Sequence, residues 1–207
     1  MKIIRQAGNI LCLFVVLLYL VAAPAKTLSS DNHETVPLEQ GVLLVAKPHL
    51  SDPNFIHSVI LLVSYGKEGT MGVVLNKPAY IQLRDFVPEL KGLKGAAIPI
   101  FKGGPVSGGD ISILFTSDTP KEGALQVFDN VSFTGRKEVI LSLLQDKPLS
   151  TKVRVYAGHA GWAPGQLEQE IMRGDWVTIK ADVKKIFAEE PARIWPSIFP
   201  IREEMMI

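Results

Sequence analysis

The stretch Tyr156-Ala157-Gly158-His159-Ala160-Gly161-Trp162-Ala163-Pro164-Gly165-Gln166-Leu167-Glu168-Gln169-Glu170 sets the expectation for the fold. An apolar run, 153–157, leads into a glycine-rich turn, and a helix is expected over 164–173. Pro164 suits a first helical turn, where its missing N–H would have no intrahelical partner. Leu167 and Ile171 stand one turn apart, and Gly174 falls where a left-handed C-terminal residue belongs. His159 and Trp162 then lie at the turn, with Gln166 and Glu168 in the first helical turns. Donors, an acid–base group and an aromatic platform would meet at one helix N-terminus. The same pattern has a structural reading: Trp162 in the core, glycines fitting the backbone close to the sheet, and Glu168 complementing the helix dipole.

Further apolar runs of strand length, bounded by Gly and Pro, occupy 42–46, 58–65, 71–75, 98–101, 111–115, 125–128 and 176–179. Helical spacing appears over 135–145, where Val139, Leu143 and Leu144 form one face behind Thr134 as N-cap. Shorter helices are expected over 83–90, despite Pro88, and after Asp182, where Val183, Ile186 and Phe187 recur at helical spacing. Strands in runs, with helices inserted late and irregularly, predict an α+β fold on a mixed sheet.

The N-terminus reads differently. Lys2 and Arg5 precede an unbroken apolar run, 10–21, followed by Ala22-Ala23-Pro24-Ala25. The run is shorter than the roughly 20 apolar residues a bilayer crossing takes. Ala23 and Ala25 supply the small residues of a signal-peptidase site. Residues 1–25 therefore read as a signal peptide cleaved after Ala25, which makes the protein exported and periplasmic. The alternative is an uncleaved inner-membrane anchor, since Pro24 is unusual at such a site and Ile3 and Ile4 extend the apolar character. Residues 26–37, rich in Ser, Thr, Asp, Asn and His, read as a linker, and 38–207 as a single domain.

A chain of 207 residues, 47% hydrophobic and 21% charged, fits one globular domain. Its one cysteine, Cys12, lies in the leader, so a mature form would have no disulfide, thiol catalyst or cysteine-zinc site. Without Lys2 and Arg5 the 22 basic residues become 20, against 21 acidic ones. That near-neutral balance, with Lys180, Lys184 and Lys185 as the only local cluster, argues against nucleic acid as a partner.

Four other segments carry candidate sites. In Met71-Gly72-Val73-Val74-Leu75-Asn76-Lys77-Pro78, Asn76 either closes a turn or presents its amide to a ligand, with Lys77 as an anion contact. In Lys102-Gly103-Gly104-Pro105-Val106-Ser107-Gly108-Gly109-Asp110, the amides around Gly103 and Gly104 could converge on an anion, or the segment could be a tight connection between strands. It is no P-loop, because it lacks the Lys-Ser/Thr ending and precedes a strand. Ser51-Asp52-Pro53-Asn54-Phe55 reads as a turn with Phe55 plugging the core. Among the histidines only His49 and His57, with Asp52, are close in sequence, and no metal or cofactor is expected from them. No serine sits in G-x-S-x-G, so an enzyme has no positive support.

Taken in order, Gly41-Val42-Leu43-Leu44-Val45-Ala46, Asp-Pro-x-Phe, Met-Gly-Val-Val-Leu-Asn-Lys-Pro, Gly-Gly-Pro-Val and Ala-Gly-Trp-x-x-Gly-Gln-Leu-Glu make the chain resemble the YqgE/AlgH family over about 38–187. The resemblance implies a compact α+β domain with a mixed, branched sheet, part of it curled into a small barrel-like part surrounded by helices. It implies no established chemistry, a proposed regulatory role, and relatives that look cytoplasmic. This chain departs from the family at 107–116, where relatives carry an Asp-Arg-Gly-Phe-type strand ending in Leu-His. The expected function is a non-catalytic binding or regulatory module, with a small ligand or protein partner held by Asn76, Lys77, Gly103, Gly104, His159, Trp162, Gln166 and Glu168. The alternatives are a hydrolase or transferase using His159 and Glu168 as acid–base groups, and a cytoplasmic transcription-related regulator.

Overall fold

The computed structural model describes residues 35–92, 96–146 and 151–199. The expected leader, Cys12 and most of the expected linker lie outside these residues. Ten strands form the sheet: β1 Val42–Ala46, β2 Val59–Gly66, β3 Gly69–Val74, β4 Pro78–Gln82, β5 Pro99–Lys102, β6 Val106–Thr116, β7 Leu125–Phe128, β8 Val131–Thr134, β9 Val153–Trp162 and β10 Trp176–Lys180. Five helices accompany them: α1 Leu83–Phe86, α2 Lys137–Asp146, α3 Gln166–Met172, α4 Val183–Ile186 and α5 Ile194–Ile198.

The strand path runs β10-β1-β2-β3-β9-β6-β8-β7 and every pair along it is antiparallel. The sheet branches at β9. Ala160 to Trp162 pair with β3, while Val155 to Ala157 pair in parallel with β5, which in turn carries β4. A mixed, branched, mostly antiparallel α+β sheet is thus present. The expected barrel is not closed by strand pairing, because the path stays open at β10 and β7. The start of β1 reaches β7 through Gln40, whose Nε2 donates to the carbonyls of Gln126 and Val127 at 2.7 and 3.1 Å, and through Gly41, which packs closely on Phe128. Val36, just before the expected domain start, donates to the Thr178 carbonyl beside β10.

Three apolar layers hold the sheet. One face gathers an inner core from nearly every strand, including Leu43, Leu61, Val73, Leu114 and Tyr156, sealed by Ile186 of α4 and by Ile194, Trp195 and Ile198 of α5. The opposite face is covered in two parts. Helices α1 and α2 cover β5, β6 and β9 through Leu83, Ile140, Leu143 and Leu144. Helix α3 and the turn before β2 cover β1 to β3 through Leu167 and Phe55. Each buried Leu or Ile contributes roughly 1.5–3 kcal/mol, so these layers supply the main drive for folding.

β9 serves both halves, and Gly158 makes that possible. Side chains alternate along a strand, and in the first half of β9 Tyr156 faces the inner core while Val155 faces the α1–α2 layer. Beyond Gly158, Ala160 and Trp162 pack with Leu167 in the outer layer instead. Gly158 has φ 71°, a left-handed conformation open to glycine at little cost, and it exchanges the faces. Opposite it, β6 leaves the ladder: Val106 pairs with His159 and Ile111 with Ala157, so residues 107–110 bulge out across one position of β9.

These two features displace the expected boundaries. The glycine-rich segment 158–161 is strand rather than turn, and the turn falls at 163–165. The strand expected over 111–115 starts at Val106. β4 and β8 escaped sequence reading; β4 opens on a proline that reads as a strand stop.

Candidate functional site

The expected ligand surface divides into groups with different tasks. Asn76 is buried and acts as a clamp. Its Oδ1 accepts from the Val59 amide at 2.9 Å and its Nδ2 donates to the His57 carbonyl at 2.8 Å. The amide thus bonds not its own turn, as the sequence suggested, but the distant loop before β2, which it fastens to the end of β3. Lys77 donates from Nζ to the Asn54 carbonyl at 2.7 Å, within the same loop. Desolvation lowers its pKa below the usual lysine value, with Asp52 pulling the other way. Asp52 accepts the Asn54 amide at Oδ1, and His57 lies with its ring centroid 4.0 Å from that of Trp195.

Gly103 and Gly104 have a structural task. Gly103 donates to the Ala157 carbonyl and accepts from the Val74 amide, bridging two strands. A Cβ on Gly103 would meet the Gly158 carbonyl at 2.2 Å, and one on Gly104 the His159 backbone at 2.2 Å. These glycines let three backbones approach, which is the tight-connection reading.

Trp162, Gln166 and Glu168 lie on the α3 side of the sheet. Trp162 is buried and stacks on Phe55, with ring centroids 6.1 Å apart. Its indole N–H donates to Glu170 Oε2 at 2.9 Å, and Trp176 donates to the same oxygen at 2.9 Å. Gln166 closes the start of the helix, accepting from the Ala163 amide and donating to Glu170 Oε1. Glu168 accepts from the Tyr65 hydroxyl at 2.7 Å, a bond that raises the phenol's pKa. Glu170, which sequence reading passed over, is the acceptor around which both tryptophans are arranged.

His159 stands apart from this group. Ala160 and Trp162 face α3, so alternation turns His159 to the other face, beside Met71. The acid–base pair of His159 and Glu168 is therefore not formed, since the sheet lies between them. Of the expected residues, His159 alone borders open space on both sides. A cavity of about 580 Å³ lies between the β6 bulge, α1 and the start of α2, walled by Leu83, Leu90, Ile140 and Leu141 and reached by Ser112, Asp110, Lys137 and His159. A second, shallower cavity of about 440 Å³ lies on the far side of His159, against Ser64, Glu68, Thr70 and Trp162. Ser112 is 8% exposed, and no described residue takes its hydroxyl in a hydrogen bond.

The model of the AlgH-like family matches residues 43–201. The chain belongs to the AlgH-like family. A UPF0301 protein of Chlorobaculum tepidum is 33% identical over 159 residues, covering 76% of this chain and 83% of that protein. One from Methylococcus capsulatus is 35% identical over 158 residues, covering 75% and 86%. The solution structure of the AlgH protein from Pseudomonas aeruginosa superposes with a TM-score of 0.65 at 28% identity, over 78% of this chain and 89% of that one. A crystal structure of a Corynebacterium diphtheriae protein gives 0.67 at 26% identity, over 80% and 87%. No specific function is established for the AlgH-like family.

Within this AlgH-like chain, Gly109 and Asp110 of the β6 bulge form part of the rim of the larger cavity. Gly108 and Gly109 there have open space around them, so their lack of side chains is not required by packing. The cavity itself was not legible in sequence, because its walls come from α1, α2, β6 and β9, which are far apart along the chain.

Proposed function

We propose that the domain is a non-catalytic binding module for a small, largely apolar ligand, and that it works outside the cytoplasm. The observation that carries the first part is the 580 Å³ cavity beside His159. Ligand sites are typically clefts of about 300–1,000 Å³ with apolar walls and a few polar groups that fix orientation. Here Leu83, Leu90, Ile140 and Leu141 provide the walls, and Ser112 and His159 the hydrogen-bonding groups. The placement of His159 and Glu168 on opposite faces tells against the hydrolase or transferase reading.

The test is a ligand screen by thermal shift, with a filled-cavity variant alongside. Leu141 is only partly buried, so Leu141→Trp can occupy the space without disrupting the core. Compounds that raise the melting temperature of the native protein and not that of Leu141→Trp support the reading. If every stabilising compound acts equally on both, the cavity is not the site.

Export rests on the leader pattern of residues 1–25. N-terminal sequencing of the protein from fractionated cells decides it. A start at Lys26 in the periplasm supports export, an intact Met1 in the membrane means a tethered domain, and an intact Met1 in the cytosol overturns export and revives the regulator.

A further inference from the structure

We propose that the two cavities flanking His159 are one elongated site, and that its ligand is an amphipathic amine with an apolar tail in the larger cavity and its ammonium group in the smaller. The inference deepens the binding reading above and rests on it.

Continuity comes from shared walls: Met71 and His159 border both cavities. Gly161, which pairs with Met71 across β3 and β9, lies beside the His159 ring on the wall of the smaller cavity, where the two would join. Gly161 differs from the glycines that the fold requires. A Cβ there would meet nothing closer than the Val106 side chain at 3.8 Å and the His159 ring at 3.9 Å, and its backbone is not left-handed. The fold would accept alanine at this position. A glycine that packing does not demand keeps the strand surface between the cavities bare.

The tail and head are set by what lines each end. The larger cavity is lined by Leu83, Ile140 and Leu141 of α1 and α2 and by Val87 and Leu90 of the segment after α1, which suit a hydrocarbon. The smaller is bordered by Ser64, Glu68 and Thr70, which offer acceptors to a donating head. At the head end Glu68 is the one carboxylate or ammonium group bordering the smaller cavity, while Glu89, Asp110 and Lys137 border the larger one, so the whole site carries three carboxylates and one ammonium. A site with this balance attracts a cation and repels a carboxylate of the same length.

Octylamine, octanol and octanoate share one chain and differ in the head, so titrating each into the isotope-labelled protein separates the two claims. Octylamine is expected to shift the methyls of Leu83, Leu90 and Ile140 and the amides of Gly69 and Gly161 with one dissociation constant. Octanoate is expected to bind about 10-fold more weakly or worse, the range in which a single unfavourable charge contact falls. Gly161→Val should keep the melting temperature, weaken octylamine about 10-fold by blocking the passage, and leave octanol little changed. Shifts confined to the methyls would overturn the single site while leaving the binding reading intact. Octanoate binding as tightly as octylamine would overturn the cationic head. If none of the three probes moves the methyls, the binding reading fails with it.

Discussion

Asn76→Ala separates the two meanings that a strand-ending Asn-Lys-Pro carries. In the structure the side chain makes two hydrogen bonds to backbone, to the Val59 amide and the His57 carbonyl. Val59 is completely buried, so removing the acceptor leaves a buried N–H with no partner. Such an orphan costs about 1–3 kcal/mol, and the second bond adds a net 0.5–1.5, for a total of about 2–4 kcal/mol. In a domain of this size each kcal/mol moves the melting temperature by about 2–4 °C, so a fall of roughly 5–15 °C is expected. Urea unfolding should show a lower midpoint with an unchanged slope, since the surface exposed on unfolding is the same. Lys77→Ala, which loses only an exposed bond to the Asn54 carbonyl, should cost less than about 1 kcal/mol and is the matched control. A stability loss under about 0.5 kcal/mol for Asn76→Ala, or loss of ligand binding at full stability, would refute the clamp.

Three further outcomes follow from the geometry. Gly103→Ala should cost about 4 kcal/mol or more, because its Cβ would meet a backbone carbonyl at 2.2 Å, whereas Gly108→Ala in open space should stay within about 1 kcal/mol; chemical denaturation distinguishes them, and equal values would refute the close-approach account. Glu170→Ala should cost about 2–4 kcal/mol by leaving two indole donors without their acceptor, and Glu170→Gln, which keeps an acceptor oxygen, should cost less; an alanine variant with native stability and tryptophan emission would show that the indoles find other partners. Burial raises the Tyr156 phenol far above the ordinary tyrosine value, with the Arg154 charge opposing. Its contribution is therefore intact below about pH 10 and lost above it at about 1.4 kcal/mol per pH unit; Tyr156→Phe should flatten that alkaline slope, and an unchanged slope would refute the assignment.

Much of the sheet could be read from the chain because most of its strands are apolar runs punctuated by glycine and proline. The failures cluster where a local rule met a tertiary demand. Gly158 and Gly161 look like a turn, yet β9 continues through them to Trp162 because three neighbouring strands supply its hydrogen bonds. Residues 107–110 look like a loop, and they do leave the ladder, but as a bulge within a long β6 rather than a connection. β4 carries an exposed tyrosine, Tyr80, at φ 58° beside Pro78, a sequence with no strand signature. The helix after the turn was visible because its apolar spacing and Gly174 are local features, although Pro164 falls in the turn before the N-cap Gly165 rather than in the first helical turn.

The candidate site was harder to read for a related reason. Glycines beside polar residues attract attention because bare backbone can approach a ligand, but bare backbone can equally approach another strand. Gly103 and Gly104 do the second, and the 2.2 Å contacts awaiting any Cβ show that the fold alone accounts for them. Gly161 shows the other case, a glycine with room for a methyl group. The distinction depends on what stands opposite each residue, which spacing along the chain does not encode. It also explains why His159 remains while its expected partner Glu168 does not. The left-handed Gly158 exchanges the faces of β9 just before His159, placing that side chain opposite α3 and beside the opening left by the β6 bulge. The same backbone reversal that joins the two halves of the sheet thus puts a polar side chain at their junction, bordering both cavities.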